Sequence, residues 1–387
     1  MTHYDRPLAA LRPGRLAATL LGFVLGMAAV PSPADAPYRL WSGPPIPGAP
    51  DEIAPVPGAV HSILHQAVEG EYQFLHGASI VEHKGTLFAN WCNSLVDENS
   101  PSETVRGRRS TDGGKTWSAV EVLAPGFDTD ECHSHAPFLS HGGTLWIFAA
   151  RFGRAYVTRK HFPGLKCEAF QLDEATDRWA SQGIVATNCW PYQEPIQMDD
   201  GNWITAGQDE SGLPVVMVSH GDNLTRWDTI AIAYPPELAP NFAETTVLPF
   251  GREVLAVIRG GRNTAWVSTS DDYGRTWAKA RASNYPMPRA KAYLRRLSTG
   301  QMYLLANLYN RDTLVIAVGK PGERTLSRLW RVRHGRSEQP RFPGRAKGPQ
   351  WSYPYAHEYD GKLYVVYSVG KEDCGLSILP VAALTAE

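Results

Sequence analysis

Ser110-Thr-Asp-Gly-Gly-Lys-Thr-Trp117 returns later in the chain as Ser270-Asp-Asp-Tyr-Gly-Arg-Thr-Trp277. Both octets read S-x-D-x-G-x-T-W. An Asp at the third position can accept hydrogen bonds from the backbone of its own turn, and Gly114 or Gly274 can supply the positive φ of a tight hairpin. The Trp opens the next strand and packs the turn down. Such an octet is a staple rather than a site, and its return marks a chain built from repeated hairpins.

A second periodicity gives the number of repeats. A glycine followed by a bulky β-forming run occurs at Gly85, Gly143, Gly201, Gly251, Gly300 and Gly361, in steps of 49 to 61 residues. Trp117, Trp179, Trp227, Trp277 and Trp330 keep step with it. About fifty residues per repeat is the length of one four-stranded sheet, so six turns predict six blades. Ser219-His-Gly-Asp-Asn-Leu-Thr-Arg-Trp227, one residue longer, reads as a decayed third copy of the octet pattern. Helical periodicity is almost absent. The strand near Val60 to Leu64 is expected to pair with the last blade and close the ring, because an open sheet edge is a liability.

The octets resemble the Asp-box (BNR) repeat of the sialidase superfamily. That resemblance implies an all-β, six-bladed β-propeller of four-stranded antiparallel blades. It covers nearly the whole chain beyond the N-terminus.

The first 34 of the 387 residues read as a signal peptide. Arg6, Arg12 and Arg15 precede an apolar run from Leu16 to Val30, which is too short for a comfortable membrane span, and Ser32-Pro-Ala34 offers small residues for cleavage. An uncleaved N-terminal anchor is the alternative. We therefore expect a secreted or periplasmic protein without membrane insertion after processing. Residues 35–59 form a Pro-rich lead-in, and 60–387 are expected to form the propeller.

Lys plus Arg total 38 against 39 Asp plus Glu, which gives no electrostatic case for nucleic acid or an anionic membrane surface. Twelve Trp and sixteen Tyr suit blade packing and sugar stacking. Five Cys would allow two bridges and a spare thiol in an oxidising compartment. No standard metal-ligand spacing is present. His133-Ser-His135, beside Asp130, Glu131 and Cys132, reads as a polar loop rather than a zinc site, and no cofactor or metal is expected.

Propeller geometry narrows the site. The innermost strand of each blade begins at the face where the next strand ends. Residues before each turn glycine should thus meet residues after it on one rim. Before the turns stand His76, His135, Gln193 with Glu194, Glu244, Arg289 with Lys291, and Tyr353. After them stand Asn90, Asn93, Arg151, Gln208, Arg259, Asn307 with Arg311, and Lys371. So polar a collection predicts a ligand site. Arg259 and Arg311 can clamp a carboxylate bidentately. Tyr353 beside Glu244 forms a nucleophile–base pair, the arrangement that replaces two carboxylates in retaining sialidases.

Carried over residue by residue, the resemblance assigns Glu244-Thr-Thr-Val with Val257-Ile-Arg259 to the base and one clamp arginine. It assigns Asn310-Arg311 to another arginine, and Trp351-Ser-Tyr353-Pro to the nucleophile. It places the acid in the polar loop from Asn93 to Arg106, where Asp97 is the first choice, with Glu103 close behind and Glu98 beside them. One position departs. Where the family has the Arg of an Arg-Ile-Pro motif, this chain has His76. Arg151 or Arg289 could restore the lost charge, with His135, Glu194 and Lys291 as further substrate contacts.

The expected function is a secreted glycoside hydrolase that cleaves a terminal acidic sugar, sialic acid or a relative, from an acidic glycan or glycoconjugate. The alternatives are a propeller lyase acting on uronate-containing glycans and a non-catalytic glycan-binding propeller.

Overall fold

A computed structural model describes residues 36–386 apart from 101, 128, 154–161, 236–241 and 262. The expected signal peptide and its cleavage site lie outside the described residues. Pro37–Glu387 form one compact unit.

The unit is a six-bladed propeller of four-stranded antiparallel blades. Its inner strands are Phe74–His83 in blade I, Thr245–Phe250 in blade IV, Tyr293–Arg296 in blade V and Trp351–Tyr359 in blade VI. In blades II and III the inner strand is split, into Glu131–Ser134 and Phe138–His141, and into Trp190–Pro191 and Ile196–Gln197. The splits, with bulges at His76/Ser79 and Ser352/Tyr355, fall where the candidate site residues lie. A bulge breaks the ladder and re-aims a side chain.

Each of the six ladder glycines turns the inner strand into the second, and all six have positive φ, from 64° at Gly251 to 83° at Gly201. Positive φ is what a Cβ disfavours, so the spacing of these glycines is the spacing of the blades. The Trp ladder marks the outer strands. Trp179, Trp227 and Trp330 lie within them, while Trp117 and Trp277 stand four residues before theirs, at Glu121–Ala124 and Arg281–Pro286.

The octets form as a hydrogen-bonded knot. Asp112 Oδ1 accepts the N–H groups of Lys115 and Thr116 at 3.0 and 2.9 Å, and its Oδ2 accepts the Thr116 hydroxyl at 2.6 Å. Asp272 repeats this with Arg275 and Thr276. The Thr116 hydroxyl first, then its N–H, hold the Asp112 carboxyl well below the usual carboxylate range. Each knot packs on the preceding blade: Gly114 against Tyr364 and Leu376 of blade VI, Gly274 against Ile204 and Val218 of blade III. The third, decayed copy does not form the knot. Asp222 instead accepts the Trp203 indole N–H at 2.9 Å and pairs with His141. Both intact knots lie in turns between third and fourth strands, away from the channel. Asp112→Ala should therefore lower the melting temperature by a few degrees and leave the activity of folded molecules unchanged. Normal melting with lost activity would contradict this.

The core is a ring of layers between neighbouring blades rather than one central mass. Val81, Phe88 and Leu123 of blade I meet Phe138 and Ile147 of blade II, and Ile204 and Val218 of blade III meet Val247 and Ile258 of blade IV. Val60–His65 pairs with Asp373–Pro380 and completes blade VI, as expected. Only Leu64 and His65 of that strand are buried. It therefore closes the ring mainly through its ladder, each bond contributing about 1 kcal/mol. The lead-in touches blades IV and V through bridges Tyr38↔Ser283, Trp41↔Leu326 and Pro55↔Arg331. All five cysteines are buried, and none of them forms a disulfide among the described residues. Among the described residues no helix is long and apolar enough to cross a membrane.

Candidate active site

Glu244 stands just before the inner strand of blade IV and Arg259 just after the second strand. Their backbones face each other, with the Arg259 N–H donating to the Glu244 carbonyl at 3.0 Å. Arg259 Nη1 then donates to Glu244 Oε2 at 2.8 Å. Tyr353 reaches them from blade VI. Its hydroxyl donates to Glu244 Oε1 and accepts from Arg259 Nη1 at 3.1 Å. Tyr353 has a φ of 59°, which a non-glycine residue rarely holds without support. Part of that support is Lys291, buried on blade V, whose Nζ donates to the Pro354 carbonyl at 2.9 Å. Burial brings the Lys291 ammonium down to about 8, against the opposing charges of Glu244 and Glu194.

Burial, and then the charge of Glu244, push the Tyr353 hydroxyl well above its ordinary value, with Arg259 and Arg311 opposing. Tyr353 is therefore a neutral phenol whose proton already points at a carboxylate. It can attack only as that proton leaves, and Glu244 is placed to take it.

The three side chains line one pocket. Arg311 overhangs the floor, with its guanidinium 5.6 Å from the Tyr353 ring centre. His135, Lys371, Gln208, Glu98 and Glu103 line the same pocket. Glu103 is buried, and its Oε2 accepts the Asn99 N–H at 2.7 Å. Burial raises its carboxyl to about 7, helped by Glu98 and opposed by the Ser134 hydroxyl. A carboxyl that titrates near neutrality can hold a proton and give it up.

His76 packs on Tyr353, with ring centres 3.8 Å apart, and its Nδ1 pairs with the Ser368 hydroxyl at 2.8 Å. His135 crosses His76 edge-on at 5.6 Å. Gly77, with φ 57°, makes room for it, because a Cβ there would lie 2.1 Å from the His135 ring. Burial drives both imidazoles well below their usual range, with Lys371 the next cause for His76 and Lys291 for His135. Both are therefore neutral, and His76 Nε2 and His135 Nδ1 are buried without a partner.

Other expected site residues are placed elsewhere. The Asp97 carboxylate caps the backbone N–H groups of Arg345 at 2.7 Å and Ala346 at 3.2 Å, and does not line the pocket. Arg151 is held by Glu131 and Glu168 within blade II. Arg289 is exposed and donates to the Gly261 carbonyl at 3.0 Å. Glu194 takes the Tyr293 hydroxyl at 2.7 Å and Arg295 Nε at 2.8 Å, off the pocket lining.

Several polar residues of the rim set are inter-blade ties. Asn90 donates to the Ala136 carbonyl at 2.8 Å, Gln193 to that of Val247 at 3.0 Å, and Asn307 to that of Trp351 at 2.7 Å. Buried inner strands at blade junctions leave backbone groups that need partners, so polarity there is partly structural.

The aromatic wall escaped the sequence reading. Trp190, Tyr192, Phe162 and Phe242 line the pocket with Cys92 and Ser134. Tyr192 stands nine residues before its turn glycine, as His76 does before Gly85, and strand alternation from Tyr192 leads back to Trp190. Phe162 and Phe242 lie in long connections with no repeat spacing.

The chain belongs to the BNR repeat-like domain family, whose model matches residues 85–365. Among solved structures it is similar to a Trypanosoma rangeli sialidase in complex with 2,3-difluorosialic acid as a covalent intermediate. The TM-score is 0.64 at 13% identity, over 86% of this chain and 60% of that one. It is also similar to a Hadza microbial sialidase, with TM-score 0.63 at 16% identity, over 84% of this chain and 69% of that one. A Dyadobacter fermentans protein of unknown function matches with TM-score 0.61 at 14% identity, over 84% of this chain and 99% of that one. The chain thus spans about 60% of the length of the Trypanosoma sialidase. No curated protein matches its sequence. At these identities the likeness is one of fold, that of a sialidase-like BNR propeller.

Proposed function

We propose that the protein is an exported retaining glycosidase of the sialidase type, acting on a terminal acidic sugar of a glycan. The observation that carries this reading is the buried contact of Tyr353 with both Glu244 and Arg259 on the pocket floor. In the first step the Tyr353 oxygen bonds to the anomeric carbon as its proton passes to Glu244. Glu103 protonates the departing glycosidic oxygen. In the second step Glu103 takes a proton from water, the water oxygen replaces Tyr353 at the anomeric carbon, and Glu244 returns the proton to Tyr353. A neutral phenol suits a carbon that bears a carboxylate, because an anionic nucleophile would be repelled. The aromatic wall would pack against the sugar ring. The N-terminal 34 residues would direct export.

The test is incubation with 2,3-difluorosialic acid followed by peptide mass mapping, beside release of free sugar from a fluorogenic sialoside. The expected results are a covalent adduct on the peptide holding Tyr353, and turnover. Neither adduct nor turnover would discard sialic acid as the substrate.

A lyase reading draws on one specific feature, the neutral His135 with an unpartnered Nδ1 in the pocket. Such an imidazole can take the proton α to a uronate carboxylate. Product mass separates the two: hydrolysis adds water, whereas elimination leaves an unsaturated sugar.

A further inference from the structure

We infer that Lys371 is the selectivity residue of the pocket, the cation that seats the substrate's carboxylate together with Arg311. This rests on the acidic-sugar reading above, and it holds for hydrolysis and elimination alike.

Among the described residues three cationic side chains line the pocket: Arg259, Arg311 and Lys371. Arg259 is engaged in the catalytic contact, as the ion-pair partner of Glu244 and a donor to Tyr353. Arg311 is held by neutral acceptors. Its Nη2 and Nε donate to the Arg289 carbonyl at 2.7 and 3.2 Å, and its Nη1 donates to Gln350 at 3.0 Å. Those bonds fix its position without neutralising its charge, so it faces an anion with its charge intact.

Lys371 stands in the turn after Lys362–Val369, at φ 58° and 7% exposed. Its backbone carbonyl accepts the Leu75 N–H at 3.1 Å, which sets it against the start of the blade I inner strand, beside His76. His76 is buried and neutral there, held off protonation by burial and then by the Lys371 charge. The positive charge at this corner of the pocket therefore comes from blade VI, through Lys371, and not from position 76.

Lys371 Nζ lies 2.9 Å from both oxygens of Glu98, whose side chain is 34% exposed. Glu98 thus parks the ammonium at the pocket wall. An ammonium is a point charge with rotating donors, so it can turn from Glu98 toward a ligand carboxylate without a change of backbone. A seat made of one arginine fork and one lysine fixes the carboxylate less rigidly than two forks would. It should accept acidic sugars that differ in the orientation of the carboxylate.

The experiment is calorimetric binding of sialic acid, glucuronic acid and their methyl esters to the whole protein. Wild type should bind at least one acid ten times or more tighter than its ester. Lys371→Met should lower that acid-to-ester ratio about tenfold while leaving ester binding unchanged, and Lys371→Arg should keep the ratio. Glu98→Gln frees the ammonium and should tighten acid binding several-fold, which gives a readout should Lys371→Met fail to fold. Full acid preference in folded Lys371→Met, or no tightening in Glu98→Gln, would overturn the role of Lys371 alone. No preference for either acid in wild type would overturn the acidic-sugar reading, and this inference with it.

Discussion

Tyr353→Phe should lower both kcat and kcat/KM on a fluorogenic sialoside by roughly a thousandfold or more, which is about 4 kcal/mol of barrier. The hydroxyl is the only atom lost. The ring keeps its place against His76 and under Arg311, and Glu244 still pairs with Arg259 at 2.8 Å. Substrate binding should therefore change little and the fold should survive, so the loss falls on the chemical step. The same variant should form no adduct with 2,3-difluorosialic acid. A variant that melted normally and kept turnover would remove Tyr353 as nucleophile. The lyase reading also loses activity in this variant, because the phenol would there serve as proton donor. For that reason the mass of the wild-type product has to be read beside it.

The fold was more legible than the site because it repeats. A turn that needs positive φ leaves a glycine behind, and six of them kept count of the blades even where the Asp-box octet had decayed at Asp222. The closing strand was legible because an unpaired edge at Asp373–Pro380 had to be covered. Glu244 and Arg259 were legible as a pair, because residues that flank a tight hairpin symmetrically must face each other.

What stayed hidden depends on contacts across the ring. Nothing in the sequence around Asp97 says that its carboxylate is used by the backbone of Arg345 and Ala346, some 250 positions away. Glu103 sits six residues further along the same loop, and only burial distinguishes it from its neighbours. The polar rim was read as ligand-facing throughout, yet Asn90, Gln193 and Asn307 hold blades together. A side chain that binds a sugar and one that ties a strand have the same polarity, and only the partner tells them apart.

Glu103→Gln is the change that separates catalysis from stability most sharply. As proton donor, Glu103 must enter the cycle protonated. Its carboxyl titrates near 7, so wild-type turnover should fall as pH rises through about 7, approaching tenfold per unit beyond it. Glu103→Gln should lose that limb and run roughly 10² to 10⁴ slower on a natural glycoside. The loss should be smaller on a phenol-releasing substrate, whose leaving group needs little help from an acid.

Stability should move the other way. The folded-state value, about 7, lies above the ordinary 4.5. The native state therefore holds this proton more tightly than the unfolded chain does. Below about 4.5 both states are protonated and the group costs nothing. As pH rises from there through 7 the native state loses ground, by up to about 3 kcal/mol once the buried carboxyl must ionise. An amide cannot ionise and still accepts the Asn99 N–H, so Glu103→Gln should melt higher than wild type at pH 8, with the advantage shrinking toward pH 5. Retention of the alkaline limb by Glu103→Gln would show that another group supplies the proton. Loss of the limb, slower turnover and a higher melting temperature at pH 8 would together identify Glu103 as a buried acid kept at a cost in stability for the reaction it serves.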